Sequence, residues 1–171
     1  MLGCFALQDA EPGAADRLLT TLAGQLQAEG LRVVGAVQVN SAPAADCACD
    51  MDLRVLGDDG PAVRISQRLG NGSEGCRLDS GALQSAAGRV TQALGRGADL
   101  CILSKFGKQE AMGLGFRDCI AQALDQGIPV LIHVPGDQIA AFEGFADGFA
   151  EWLSPQSLDV WSRRAAKGNA A

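Results

Sequence analysis

Tyrosine is absent from this chain of 171 residues, histidine occurs once and lysine three times. The missing tyrosine removes one common acid–base side chain. The lone histidine, His133 in "PVLIHVP", has no serine or cysteine partner in a recognisable nucleophile motif and reads as a core or surface residue. Positive charge is scarce: the net charge of −6 and pI near 4.7 argue against broad nucleic-acid binding or a polybasic membrane contact. Any anion site must be a local positive spot on an acidic molecule. Long apolar runs are missing too, and none approaches the ~18 residues of a membrane span. The start "MLGCFALQDA" has no basic region of the kind that opens a signal peptide, and no apolar run precedes its "LGC". The expected location is therefore the cytoplasm, with the six cysteines as reduced thiols.

Glycine, by contrast, is plentiful: 22 of 171 residues, against a usual share of about 7%. With six prolines and 47% apolar residues the chain is no low-complexity sequence, so the glycines point to tight connections in a compact fold. "MLGCFALQ" predicts a buried strand. Leu18, Leu19, Leu22 and Leu26 then predict a helix that stops at Gly30, and "LRVVGAVQV" predicts a second strand. That unit implies a parallel pair with a right-handed crossover. "CDMDLRVL" and "AVRISQ" alternate polar with apolar around "GDDG", the pattern of a hairpin with one wet face. Asp79 is placed to cap a helix carrying Leu83, Ala87, Val90 and Leu94. "ADLCIL" and "GIPVLIHV" predict strands, with a helix through Phe116, Ile120 and Leu124 between them. Phe142, Phe145, Phe149 and Trp152 predict one last helix.

The fold class expected is α/β: a mostly parallel sheet with helices on both faces and a β-hairpin insertion. One domain is expected over residues 1–153, followed by a C-terminal helix or frayed tail over 154–171. Ligands of such folds sit at the carboxyl ends of strands, which selects the loops at 9–16, 104–115 and 135–138.

A phosphate-binding loop needs close-approach glycines, a lysine for the phosphates and a hydroxyl for magnesium. "DAEPGAADR" in the first loop has one glycine, no lysine, no serine or threonine, and three carboxylates, Asp9, Glu11 and Asp16. It fails as an ATP-hydrolysing loop. "SKFGKQE" holds two of the three lysines, Lys105 and Lys108, with Ser104 and Gly107, where a buried strand ends. An ammonium beside a glycine at that point can reach into the crevice above the sheet; the alternative is a solvated turn. "RISQRLGNGSEGCRLD" gathers Arg64, Arg68 and Arg77 around glycines that include Gly72, with Ser73 as a neutral donor. Arginine forks and glycine-rich turns both suit an oxyanion; the alternative is a hairpin-to-helix loop with salt-bridged arginines. Cys47, Cys49 and Cys76 could together bind a soft metal, but no second paired motif completes a zinc set. Cys4, Cys101 and Cys119 read as small core residues.

Taken in order, "CDMDLRVL", "RISQRLGNGSEGCRLD", "SKFGKQEAMGLGFRD" and "GIPVLI" resemble a bacterial family of about this length described as of unknown function. Some of its members carry names linking them to molybdenum transport as an ATP-binding component. The resemblance runs from about residue 1 to 153. That family in turn resembles a degenerate relative of P-loop nucleoside-triphosphatases of the thermophile nucleotide-phosphatase type, whose corresponding strand ends in Asp-Glu-Ile-Gly-Lys-Met-Glu. Gly107, Lys108 and Glu110 match that motif, while Ser104 and Lys105 stand where its magnesium-binding and catalytic acids belong. Ser104 also replaces the asparagine expected in the closer family.

The resemblance implies a P-loop-like scaffold on which two negative charges have given way to one positive, which favours direct anion binding over magnesium-dependent hydrolysis. The expectation is an accessory protein that holds a small oxyanion, molybdate or tungstate by the family's names, without ATP hydrolysis. The alternative is a nucleotide-binding protein or nucleoside-triphosphatase whose magnesium would sit on Asp9, Glu11 or Asp16. Neither reading calls for nucleic acid or a membrane span, and both are compatible with a homo-oligomer.

Overall fold

The structure, a computed structural model, describes residues 1–8, 10–40, 51–67 and 78–169. The opening apolar run is β1 (Leu2–Phe5), buried throughout. It leads through a loop into α1 (Ala14–Ala28), where Leu19, Leu22 and Leu26 form the inward stripe that the leucine spacing predicts. Gly30 follows the helix with φ of 88°, the left-handed conformation that ends helices most cheaply.

After β2 (Val33–Asn40), the hairpin consists of β3 (Met51–Leu56) and a short β4 (Val63–Arg64). Six residues of "AVRISQ" fit a strand pattern, but two form it, and Ser66 instead makes an isolated bridge to Leu78. α2 (Ser80–Gly95) is capped as expected, the Ala82 N–H donating to Asp79 Oδ1 at 2.9 Å. β5 (Leu100–Leu103), α3 (Lys108–Ala111), α4 (Arg117–Asp125) and β6 (Val130–His133) complete the middle of the chain.

The sheet has the order β4-β3-β2-β5-β6-β1-β7. β2, β5, β6, β1 and β7 run parallel, while β3 is antiparallel to β2 and β4 to β3. β1 and β2 are therefore not the neighbouring pair that the β–α–β pattern predicts; β5 and β6 lie between them. Those two strands are apolar on both sides, "LCIL" and "VLIH", and burial on both faces draws them to the middle.

Cys4, Ala36, Leu103 and Ile132 face α2, α4 and α5 in one layer. Phe5, Val37, Ile102 and Leu131 face α1 and α6 in the other. The predicted aromatic helix is corrected here: α5 (Ile139–Ala146) stops where Asp147 and Gly148 both adopt positive φ, 45° and 80°. β7 (Ala150–Trp152) then forms a sheet edge. An Asp-Gly pair is a turn signal strong enough to override a helical repeat. Phe149 is consequently 85% exposed, and Trp152 meets Phe142 edge-on at 5.8 Å. The final helix, α6 (Leu158–Asn169), buries Leu158, Trp161, Ala165 and Ala166 in the second layer. Trp161 lies so close to Gly3 that a side chain there would meet its ring at 2.6 Å.

Candidate functional site

The loops that leave the carboxyl ends of β1, β5 and β6 differ in what they offer. At the start of α1, Gly13 holds a left-handed φ of 77° and no side chain caps the helix. Ala14 and Ala15 follow, so the first turn carries methyl groups where a phosphate loop carries an ammonium and a hydroxyl. The cation next in line, Arg17, folds back on its own loop, Nη1 donating to the Pro12 carbonyl at 3.2 Å and Nη2 standing 3.6 Å from Glu11.

The end of β5 is more tightly built. Ser104 is buried, and its N–H donates to Ala36 O at 2.9 Å. Phe106 is fully buried, its N–H donating to His133 O at 2.8 Å and its ring packed against Phe142 and Phe145 at 5.2 and 5.4 Å. Lys105 lies between these two anchored residues and is exposed.

Gly107 then caps α3, and Glu110 organises the turn. Its carboxylate is 3% exposed, with Oε2 accepting the Gly107 N–H at 2.8 Å and Oε1 the Phe116 N–H at 2.9 Å. Gly115 passes so near that a Cβ would stand 2.1 Å from Oε1, and its φ of 60° suits glycine alone. Glu110 is thus a positioning residue that sets the orientation of the Lys108 turn.

Ser104, Lys105, Gly107 and Lys108 all line one cavity of about 540 Å³ between this turn and the hairpin. Leu53, Ile65, Leu83 and Phe116 make its floor. Asp137 and Gln138, after β6, line it as well. Sequence reasoning found the rim and missed the floor. Those apolar residues are core, with Leu53 and Phe116 1% and 2% exposed, and no signal in the sequence marks them as lining a cavity.

The other predicted residues are placed differently. Arg64 is not among the cavity residues; it is exposed on β4 and pairs with Asp52 at 3.1 Å. Arg68, Gly72, Ser73 and Arg77, and the thiols Cys47, Cys49 and Cys76, lie outside the described residues, as does Asp9. Among the described residues no group of three or more His, Cys, Asp or Glu could hold a metal. Cys4, Cys101 and Cys119 are buried free thiols, and burial raises the pKa of each, that of Cys4 to about 12. None is poised as a thiolate at neutral pH.

His133 ends β6 with its ring tilted 44° against Phe5 at 5.2 Å. Burial, and secondarily the charge of Lys105, lower its pKa to about 4. At neutral pH it is an uncharged imidazole. Among the described residues, the cations that line the cavity are Lys105 and Lys108. Among the described residues no helix is long and apolar enough to cross a membrane.

The family described as "Protein of unknown function (DUF2478)" matches residues 4–161, and the chain belongs to it. The chain is also 37% identical over 150 residues to the Molybdenum import ATP-binding protein ModC 2 of Bradyrhizobium diazoefficiens. That match spans 86% of this chain but 17% of the relative. Among solved structures, THEP1 from the hyperthermophile Aquifex aeolicus matches with a TM-score of 0.62 at 15% identity, over 96% of both chains. The chain shares its fold with that structure.

Proposed function

We propose that this member of the family holds an oxyanion at the carboxyl end of β5 without hydrolysing a nucleotide, with molybdate or tungstate as the preferred ligand. The observation that carries the reading is that Lys105 and Lys108 line one cavity at a strand end. Lys105 is held there by the buried residues on either side of it. Two alanines follow Gly13 at the start of α1, where hydrolysis would require a lysine and a hydroxyl. Charge alone does not separate molybdate from sulfate or phosphate, so the choice of element rests on similarity to the molybdenum import protein. Arg68, Gly72, Ser73 and Arg77 belong to this proposal as further donors, because Ile65 and Leu78, on either side of that segment, both line the cavity. The same reading places the protein in the cytoplasm as an accessory of molybdenum handling.

Titration calorimetry with molybdate, tungstate and phosphate tests this. Binding that disappears in Lys105→Ala with Lys108→Ala is expected; no binding, or binding indifferent to both lysines, overturns it. A second reading, a magnesium nucleotide on the same scaffold, is favoured by the start of α1, where no side chain caps the helix and free backbone N–H groups suit an anion. Phosphate release from any nucleotide above a Lys105→Ala control would establish that reading instead. Light scattering with and without ligand reports whether copies assemble.

A further inference from the structure

The cavity holds charge of both signs. Lys105 and Lys108 line it, and neither ammonium makes an ion pair or hydrogen bond among the described residues. Ser104 lines it too; it is 3% exposed, and its hydroxyl has no hydrogen-bond partner among the described residues. These three groups are donors. The carboxylates on the same cavity are Glu110 and Asp137. Glu110 commits its two oxygens to the Gly107 and Phe116 N–H groups. Asp137 is different: Oδ2 accepts from Gln138 Nε2 at 3.0 Å, and Oδ1 accepts nothing among the described residues.

Asp137 is held in place from behind. Gln138 is 8% exposed and its own N–H donates to Pro135 O at 2.9 Å, so a buried amide orients the carboxylate. β5 and β6 are parallel neighbours, and the Phe106 N–H donates to His133 O at 2.8 Å. The lysine turn and the Asp137 turn therefore leave the same end of the sheet from adjacent strands.

A carboxylate beside an anion site separates anions by whether they carry a proton. An ionised aspartate accepts hydrogen bonds and donates none. Molybdate, tungstate and sulfate are fully ionised at neutral pH and offer only acceptors, so Asp137 repels them and gains no hydrogen bond. Hydrogen phosphate carries the same charge as molybdate together with one O–H, which Asp137 Oδ1 can accept. A site with such an acceptor discriminates through the unfavourable pairing as much as through the favourable one.

Building on the oxyanion reading of the two lysines, we propose that Asp137 is the specificity-determining residue of the site. It favours an oxyanion of the hydrogen phosphate class over fully ionised ones, while the lysines and Ser104 supply the donors that any oxyanion uses. Molybdate held here is held by the lysines against Asp137.

Titration calorimetry of the full chain with molybdate, sulfate and phosphate, in mildly alkaline buffer where all three are dianions, compares the wild type with Asp137→Asn. Asparagine keeps the shape and can donate its amide to an ionised oxygen. The molybdate-to-phosphate and sulfate-to-phosphate affinity ratios should each rise about tenfold, the equivalent of one charge-assisted hydrogen bond. A merely structural role would weaken all three anions together and leave the ratios where they were. Unchanged ratios, with binding still lost in Lys105→Ala with Lys108→Ala, overturn this inference alone, as does a wild type that binds molybdate and sulfate but not phosphate. If no anion binds the wild type, or binding ignores the lysines, the oxyanion reading falls and this inference falls with it.

Discussion

Glu110 Oε1 accepts the backbone N–H of Phe116 at 2.9 Å, six residues further along the chain. The same carboxylate holds the Gly107 N–H through its other oxygen. One buried side chain therefore closes both ends of the turn that carries Lys108. Glu110→Ala would leave two N–H groups without their acceptor, a loss of about 3 kcal/mol. Chemical denaturation should show a lowered midpoint, with anion binding weakened even though both lysines remain. Unchanged stability would mean that the turn is held by other contacts.

Lys105 tests the site without testing the fold. It is exposed, and its neighbours on both sides are anchored through the backbone. Lys105→Glu should abolish oxyanion binding while the thermal midpoint stays within the small change usual for surface substitutions, about 0.5 kcal/mol. A variant that still binds molybdate as tightly as the wild type would remove Lys105 from the site.

His133 predicts a pH dependence of defined sign. Its folded pKa of about 4 lies below the ordinary 6.5, so the unfolded chain binds the proton more readily. Stability should fall as the pH drops below 6.5 and level off once the pH passes below about 4. Urea unfolding of the wild type and of His133→Gln, compared across that window, isolates this contribution; the variant should lose it.

Asp99 acts in the same sense, further into acid. Hydrogen bonds from Arg32, the guanidinium at 2.6 Å and the backbone N–H at 2.8 Å, hold its carboxyl below the usual range. Its contribution is present above the ordinary carboxylate pKa and disappears as the pH falls through the lowered value. Asp99→Asn should therefore destabilise the protein at neutral pH and make little difference in strong acid. Equal losses at both ends of the range would show that packing, not charge, is what the substitution removes.

Trp161 reports on α6. It is 3% exposed, packs onto Gly3 of β1, and its Nε1–H donates to Glu151 at 2.7 Å. Trp161→Ala should cost about 3–5 kcal/mol, the range for emptying an aromatic core position. A loss under 1 kcal/mol would show that α6 is peripheral to the core.

Much of the scaffold is visible in local pattern. The leucine stripe of α1, the Asp79 cap and the doubly buried strands all follow from short-range periodicity. What escapes such reading depends on tertiary context. β1 and β2 look like neighbours until strands made sixty or more residues later enter between them. The aromatic repeat at Phe142, Phe145, Phe149 and Trp152 mimics one helix because nothing in its spacing reveals that Asp147 and Gly148 turn the chain. At the site the lysines stand out by rarity and position. The floor does not, since Leu53, Ile65 and Leu83 are core residues, 1%, 3% and 6% exposed, and nothing in their type marks them as lining a cavity.

The hairpin that walls the cavity is joined to the sheet through β2 and braced from α2, where Arg89 donates to Asp58 and to the Pro61 carbonyl. Leu53 and Ile65 are thus carried on a contiguous peripheral stretch, while both lysines belong to a turn leaving the sheet's interior. A graft of another hairpin between β2 and α2 would reshape the chamber without displacing a single cation. The shape of the chamber and its charge are thus set by separate stretches of the chain, and one can change in sequence while the other is kept.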